Sequence, residues 1–199
     1  MGESDESRPE GSVPVIRRPA AVVGETLRLR HVTVSDAEFI LSLRLDETKN
    51  RHLSETSPEI DEQRRWLEDY FTRQAEVYFI IEELNGQAVG TVRLHDPEGT
   101  RVHVGSWVLK PGARIQASIE SALLFSEFGF SCLGFKYSLF DVRKGNESVW
   151  AFFQECFGAY RQGETETDWL YVLTEEKYLE ARERYRKYLP RAPEVIWQD

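Results

Sequence analysis

The chain has 199 residues, 41 % apolar and 12 % aromatic, which is enough for one good core and suits one domain with decoration better than two. Its net charge of −9 argues against a sequence-independent grip on nucleic acid, since that needs a concentrated basic face. Cys132 and Cys156 form no CxxC pair and have no histidine at ligand spacing, and no apolar run approaches the ~18 residues of a membrane span. A disulfide framework, a metal site and membrane insertion are therefore not expected, and a cytoplasmic location is.

In chain order, residues 1–24 read as a disordered tail, with mixed charge, three prolines and no periodicity. Thr26 to His31 alternates like a half-buried strand. Ser35-Asp-Ala-Glu38 has the letters of a capping box, with Val34 and Phe39 placed as a hydrophobic staple, and predicts a helix start. A second helix is expected from Ile60 to about Arg73, with Trp66, Leu67, Tyr70 and Phe71 as its apolar stripe. A long polar loop, Asp46 to Ser57, joins the two. Val77 to Ile81 and Ala88 to Leu94 flank Asn85-Gly86, the signature of a hairpin whose two-residue turn wants positive φ. After the turn Asp96-Pro-Glu-Gly99, a strand from Val102 to Leu109 runs into Lys110-Pro-Gly112, and a helix is expected from about Ser118 to Phe130. Lys136 to Val142 reads as a strand, Asn146 to Phe157 as a helix and Trp169 to Leu173 as a strand. A final helix, Glu175 to about Tyr188, begins a C-terminal segment (175–199) packing on the domain.

The stretch Gly112 to Leu124 raises a chemical question. A helix N-terminus offers unpartnered N–H groups and a partial positive charge, so it can hold a phosphate, and Lys110 and Arg114 could add full charges. Glu120 opposes this: a carboxylate aimed the same way would repel a diphosphate. Ser118 also reads simply as an N-cap, with Glu120 a surface residue favourable to the helix dipole.

The strand Val102-His-Val-Gly-Ser-Trp-Val-Leu109 ending in Lys-Pro, the helix Ser118-Ile-Glu-Ser-Ala-Leu-Leu124 and the stretch Asn146-Glu-Ser-Val-Trp-Ala-Phe-Phe-Gln-Glu-Cys-Phe-Gly158, in this order after a hairpin, resemble the GNAT superfamily of acetyl-CoA-dependent N-acetyltransferases from about Thr26 to Leu173 (residues 25–174 as a domain). The resemblance implies an α+β fold: a central mixed, mostly antiparallel sheet flanked by helices, with a V-shaped splay between two parallel strands. It also implies acetyl-CoA as co-substrate, no metal, a small-molecule amine as partner, no nucleic acid or membrane partner, and a monomer or homodimer. The family's Q/R-x-x-G-x-G/A loop is altered here: one register puts Ile115 at the Gln/Arg position and Ser118 and Glu120 at the small ones, while the other puts Arg114, Ala117 and Ile119 there.

Carried onto this chain, the resemblance implies that Trp107, Val108 and Leu109 offer backbone to the pantetheine arm, that Arg114, Ala117, Ser118, Ile119 and Ser121 meet the diphosphate, that Asn146 bonds the pantetheine chain, and that Trp150 and Phe153 supply apolar wall. Asn146 also reads as a plain N-cap. Relatives often carry a tyrosine that protonates the leaving thiolate where Phe153 stands, and phenylalanine has no proton to give; Ser148 or Tyr160 could substitute, or water could. His103, with an ordinary imidazole pKa of ~6.5, is the candidate base on the strand, ahead of His95, and also reads as a strand histidine that faces out or bonds a neighbour. Asp46, Glu47, Arg51 and His52 in the long loop are candidate acceptor contacts. The Glu62 to Leu67 stretch looks like relatives that acetylate nucleotide-linked amino sugars, and less closely like those acting on protein N-termini. A non-catalytic binding or regulatory module is the alternative; a metal or nucleotide hydrolase lacks a phosphate-loop lysine or clustered ligands.

Overall fold

The computed structural model describes residues 13–48, 50–53 and 55–198. Nine strands form one sheet in the order β7-β8-β6-β5-β4-β3-β2-β1-β9. They are β1 (Pro19–Val23), β2 (Leu27–His31), β3 (Val77–Glu83), β4 (Ala88–Glu98), β5 (Arg101–Leu109), β6 (Tyr137–Arg143), β7 (Tyr160–Glu164), β8 (Asp168–Thr174) and β9 (Glu194–Trp197). Every pairing is antiparallel except β5 with β6.

Helices cover both faces. On one side α3 (Ile115–Glu127), α4 (Glu147–Phe157) and α5 (Glu175–Arg184) bury Leu123, Phe125, Phe153, Phe157 and Tyr178 against the inward residues of the sheet, among them Leu29, Phe79 and Val92. On the other, α1 (Ala37–Arg44) and α2 (Ile60–Thr72) close a smaller core of Ile40, Leu67, Tyr70, Tyr78 and Ile80. Strand alternation explains the split: Phe79 and Ile81 of β3 point to the first core, Tyr78 and Ile80 to the second. The β3–β4 hairpin turns through three residues, Leu84 to Gly86, and not the two expected: Glu83 N–H donates to Gln87 O at 2.9 Å, and Gly86 alone takes a positive φ, 93°, while Asn85 does not.

Several boundaries differ from the sequence reading. Residues 1–12 lie outside the described residues, but 19–23 are a strand and not part of a tail, because β1 pairs β2 on one edge and β9 on the other, with Val22 fully buried. The C-terminal segment accordingly joins the sheet as well as packing on it. The helix-start box falls two residues early: Thr33 N and Oγ1 both donate to Asp36 Oδ2, at 2.7 and 2.9 Å, and a short 3-10 turn (Val34–Asp36) leads into α1. α3 begins at Ile115 rather than Ser118 and ends in a π-helical turn, Phe128–Cys132. α5 stops at Arg184, and β7 had no counterpart in the sequence reading.

Candidate active site

The parallel pair governs the site. Arg101, Val102 and His103 of β5 face Tyr137, Ser138 and Leu139 of β6, and the strand pairing stops there. The cause lies on the other edge of β5: Arg93 faces Gly105 and Thr91 faces Val108, so Ser106 and Trp107 together oppose Val92. This extra residue is a β-bulge, which bends its strand, and Ser106 takes it up with a φ of 52°. Beyond it a cleft of about 120 Å³ opens, walled by Val104 to Val108 of β5, Phe140 to Arg143 of β6, and Asn146, Val149 and Phe153 of α4. Asn146, Val149 and Phe153 lie three and four residues apart, which puts them on one helix face.

At the end of β5, Lys110-Pro-Gly-Ala113 closes a turn through Ala113 N–H to Lys110 O at 3.1 Å, and Gly112 supplies its φ of 78°. Arg114 then caps α3, where Ala117 N–H makes the first bond, to Arg114 O at 2.9 Å. The helix start is therefore one turn upstream of Ser118, and the amides of Ile115 and Gln116 precede the first intrahelical bond. Glu120 does not compete for them. It is 2 % exposed, and its carboxylate accepts Thr26 N–H at 2.7 Å, Leu27 N–H at 3.0 Å and Thr26 Oγ1 at 2.5 Å, so it caps the start of β2.

A second cavity, of about 420 Å³, lies between α1, α2 and the sheet, with Arg44, Glu55, Glu62, Trp66 and Arg93 among its walls. Tyr78 and Ser106 line it too, and Ser106 also lines the cleft. The two cavities thus share the bulge residue Ser106.

The sequence profile of an acetyltransferase (GNAT) domain matches residues 26–159, about two thirds of the chain. The chain belongs to the GNAT superfamily. Among solved structures it is similar to apo FdhC, described as a nucleotide-linked sugar GNAT, with 36 % identity and a TM-score of 0.74 over 85 % of this chain and 98 % of that one. A GCN5-related N-acetyltransferase from Brucella melitensis shares the fold at 18 % identity, with a TM-score of 0.70 over 89 % of each chain. Comparison with curated protein sequences gave no match. Family and structural neighbours together make the chain an N-acetyltransferase, with the mixed and mostly antiparallel sheet expected of one.

Within this GNAT frame the expected site residues separate. Trp107, Val108, Asn146 and Phe153 line the cleft. Leu109 instead faces Gly90 across the β4 edge and packs on the core. Arg114, Ala117 and Ser118 belong to the cap and first turn of α3, but Ile119 is buried in the core, and Ser121, fully buried, accepts Trp107 Nε1–H at 3.2 Å and donates to Ser118 O. Trp150 packs against the core from α4, and Val149 takes the wall position assigned to it. Ser148 is exposed and donates to Asn146 Oδ1 at 3.2 Å, while Tyr160 is exposed on β7; the structure brings neither to the cleft.

His103 is the last paired residue before the splay and lines neither cavity. Its ring lies 5.9 Å from that of His95, which bonds Asp96 at 2.7 Å and is pushed below the ordinary imidazole range by burial and by the nearby Arg93 charge. Of the loop residues, His52 reaches the cleft, with Arg51 Nε donating to its Nε2 at 3.0 Å. Asp46 folds onto its own loop by accepting Thr48 N–H, and neither it nor Glu47 lines a cavity. Residue-by-residue reading missed Ser106, Tyr78, Arg44, Glu55 and Arg93.

Proposed function

We propose that this GNAT protein transfers the acetyl group of acetyl-CoA to a primary amine of a nucleotide-linked amino sugar. The observation that carries the reading is the meeting of two cavities of different chemistry at Ser106. The cleft suits a pantetheine thioester: its walls are apolar at Phe140, Val149 and Phe153, and the pairing of β5 with β6 stops before Val104. Main-chain groups along that free edge can bond an extended amide chain as a neighbouring strand would. The turn into α3 offers the diphosphate the first helical amides, with Lys110 and Arg114 beside them.

The second cavity suits an acceptor with both an ammonium and a phosphate. Glu55 and Glu62 favour the first, Arg44 and Arg93 the second, and Trp66 presents an aromatic surface. The 36 % identical neighbour, itself described as acting on nucleotide-linked sugars, supports this class. In the transfer the acceptor nitrogen, once deprotonated, forms a bond to the thioester carbonyl carbon, the carbon–sulfur bond breaks, and the thiolate takes up a proton. The N–H groups near Val108 polarise the carbonyl oxygen. Phe153 gives no proton, so the thiolate is protonated from solvent and the residues act by holding the two reactants together.

The test is thiol release from acetyl-CoA in the presence of nucleotide-linked amino sugars, the free amino sugars and peptides with free N-termini. A kcat/KM for the nucleotide-linked sugar at least ~100-fold above the others is expected, since several charged contacts are lost without the nucleotide. Preference for peptides would contradict the acceptor class, and tight acetyl-CoA binding with no turnover would favour a non-catalytic module.

A further inference from the structure

We propose that Ser106 holds the acceptor nitrogen at the junction of the two cavities by accepting its N–H, from a main-chain position that Thr91 holds in place. The inference rests on the acetyl-transfer reading above and adds a residue to it.

Three observations converge. Ser106 lines both cavities, so a group seated on it touches both reactants. It also takes a φ of 52°, a strained value for a non-glycine residue that persists only where its surroundings hold it. Finally, its main chain is pinned: Thr91, 2 % exposed, donates its only hydroxyl hydrogen to Ser106 O at 2.7 Å, which holds the bulge from the β4 side. A serine hydroxyl has two acceptor lone pairs, so Ser106 Oγ can accept an N–H of the acceptor amine. An amine held by its N–H directs its own lone pair elsewhere, and at this junction the thioester carbonyl is the group beside it. As nitrogen gains positive charge during attack, its N–H becomes a stronger donor, so the bond tightens in the transition state. No covalent step involves Ser106.

The experiment compares steady-state kinetics and thermal unfolding of wild type, Ser106→Ala, Ser106→Gly and Ser106→Asn, with acetyl-CoA and the best acceptor from the amine panel. Expected are a ~10–100-fold fall in kcat/KM for the acceptor in S106A and S106G, with the KM for acetyl-CoA within about twofold of wild type. S106G should melt no lower than wild type, because glycine relieves the positive φ, and this separates lost function from lost folding. Asparagine tolerates that φ and restores an acceptor oxygen, so S106N should recover part of the loss. S106A and S106G both within about twofold of wild type would overturn the inference and leave acetyl transfer standing. No turnover by wild type on any amine would overturn both.

Discussion

Glu120 shows how a residue's partners decide its meaning. In the sequence it stands where a carboxylate would repel a diphosphate; in the fold it turns to the start of β2 and satisfies the main-chain N–H groups of Thr26 and Leu27 and the Thr26 hydroxyl. Glu120→Ala, which strands those donors in a buried site, is expected to cost about 2–3 kcal/mol in denaturant unfolding, and Glu120→Gln less, while calorimetric affinity for acetyl-CoA stays unchanged. A large gain in affinity on neutralising the charge would show that it acts at the anion site after all. His31 carries a second prediction. Its Nε2 bonds Tyr70 Oη at 2.8 Å and its Nδ1 bonds the Gln198 side chain at 2.7 Å. Burial, followed by the Arg18 and Arg30 charges, holds its pKa down to about 4, against an ordinary 6.5. Between those values the unfolded chain binds the extra proton, so this contribution to stability is complete above pH 6.5 and fades as pH falls toward 4. His31→Asn should flatten that part of the stability curve; an unchanged slope would mean that His31 does not supply it. Phe153→Tyr would offer the thiolate a proton donor within the cleft, and is expected to raise kcat without altering the acceptor KM.

At the level of elements, the helices and the central strands were legible because each has a strong local signal: α2 in its apolar stripe, the β3–β4 hairpin in Asn85-Gly86, α4 between Asn146 and Gly158. The bulge was legible too, had the phase been followed. Val102 and Val104 keep a period of two, and Trp107 comes back to the same core after three residues, which a regular strand cannot do. β1, β7 and β9 were missed for a physical reason: strands of four or five residues at or near a sheet edge carry little apolar patterning of their own and are specified by their neighbours. The cavity between α1, α2 and the sheet was hidden because its walls come from α1, α2, β3, β4 and β5, which only the fold brings together. β9 matters for stability. It pairs with β1, places Trp197 under the Arg17 guanidinium at 4.1 Å, and delivers Gln198 to His31. Deleting residues 194–199 is expected to lower the melting temperature by about 5–10 °C, as the β1 edge and the His31 pair lose their partners. An unchanged melting curve would show β9 to be dispensable.

For the whole molecule, one irregularity organises the rest. A bulge in β5 parts it from β6; the parting opens the cleft in which we place the thioester; the same strand leads through a glycine turn to the α3 start that we assign to the diphosphate; and the bulged serine lines the cavity on the α1–α2 side. The chain's overall negative charge is no obstacle to the two anionic substrates proposed, because Arg44, Arg93, Lys110 and Arg114 stand along this path. Hydrogen exchange of the full chain with and without acetyl-CoA tests this arrangement most directly. Slowed exchange is expected at the amides of Val104 to Leu109 and of Ile115 to Ser118, with the β1–β9 edge unaffected. Bound acetyl-CoA that leaves both segments unprotected, or protects another face of the sheet, would contradict it.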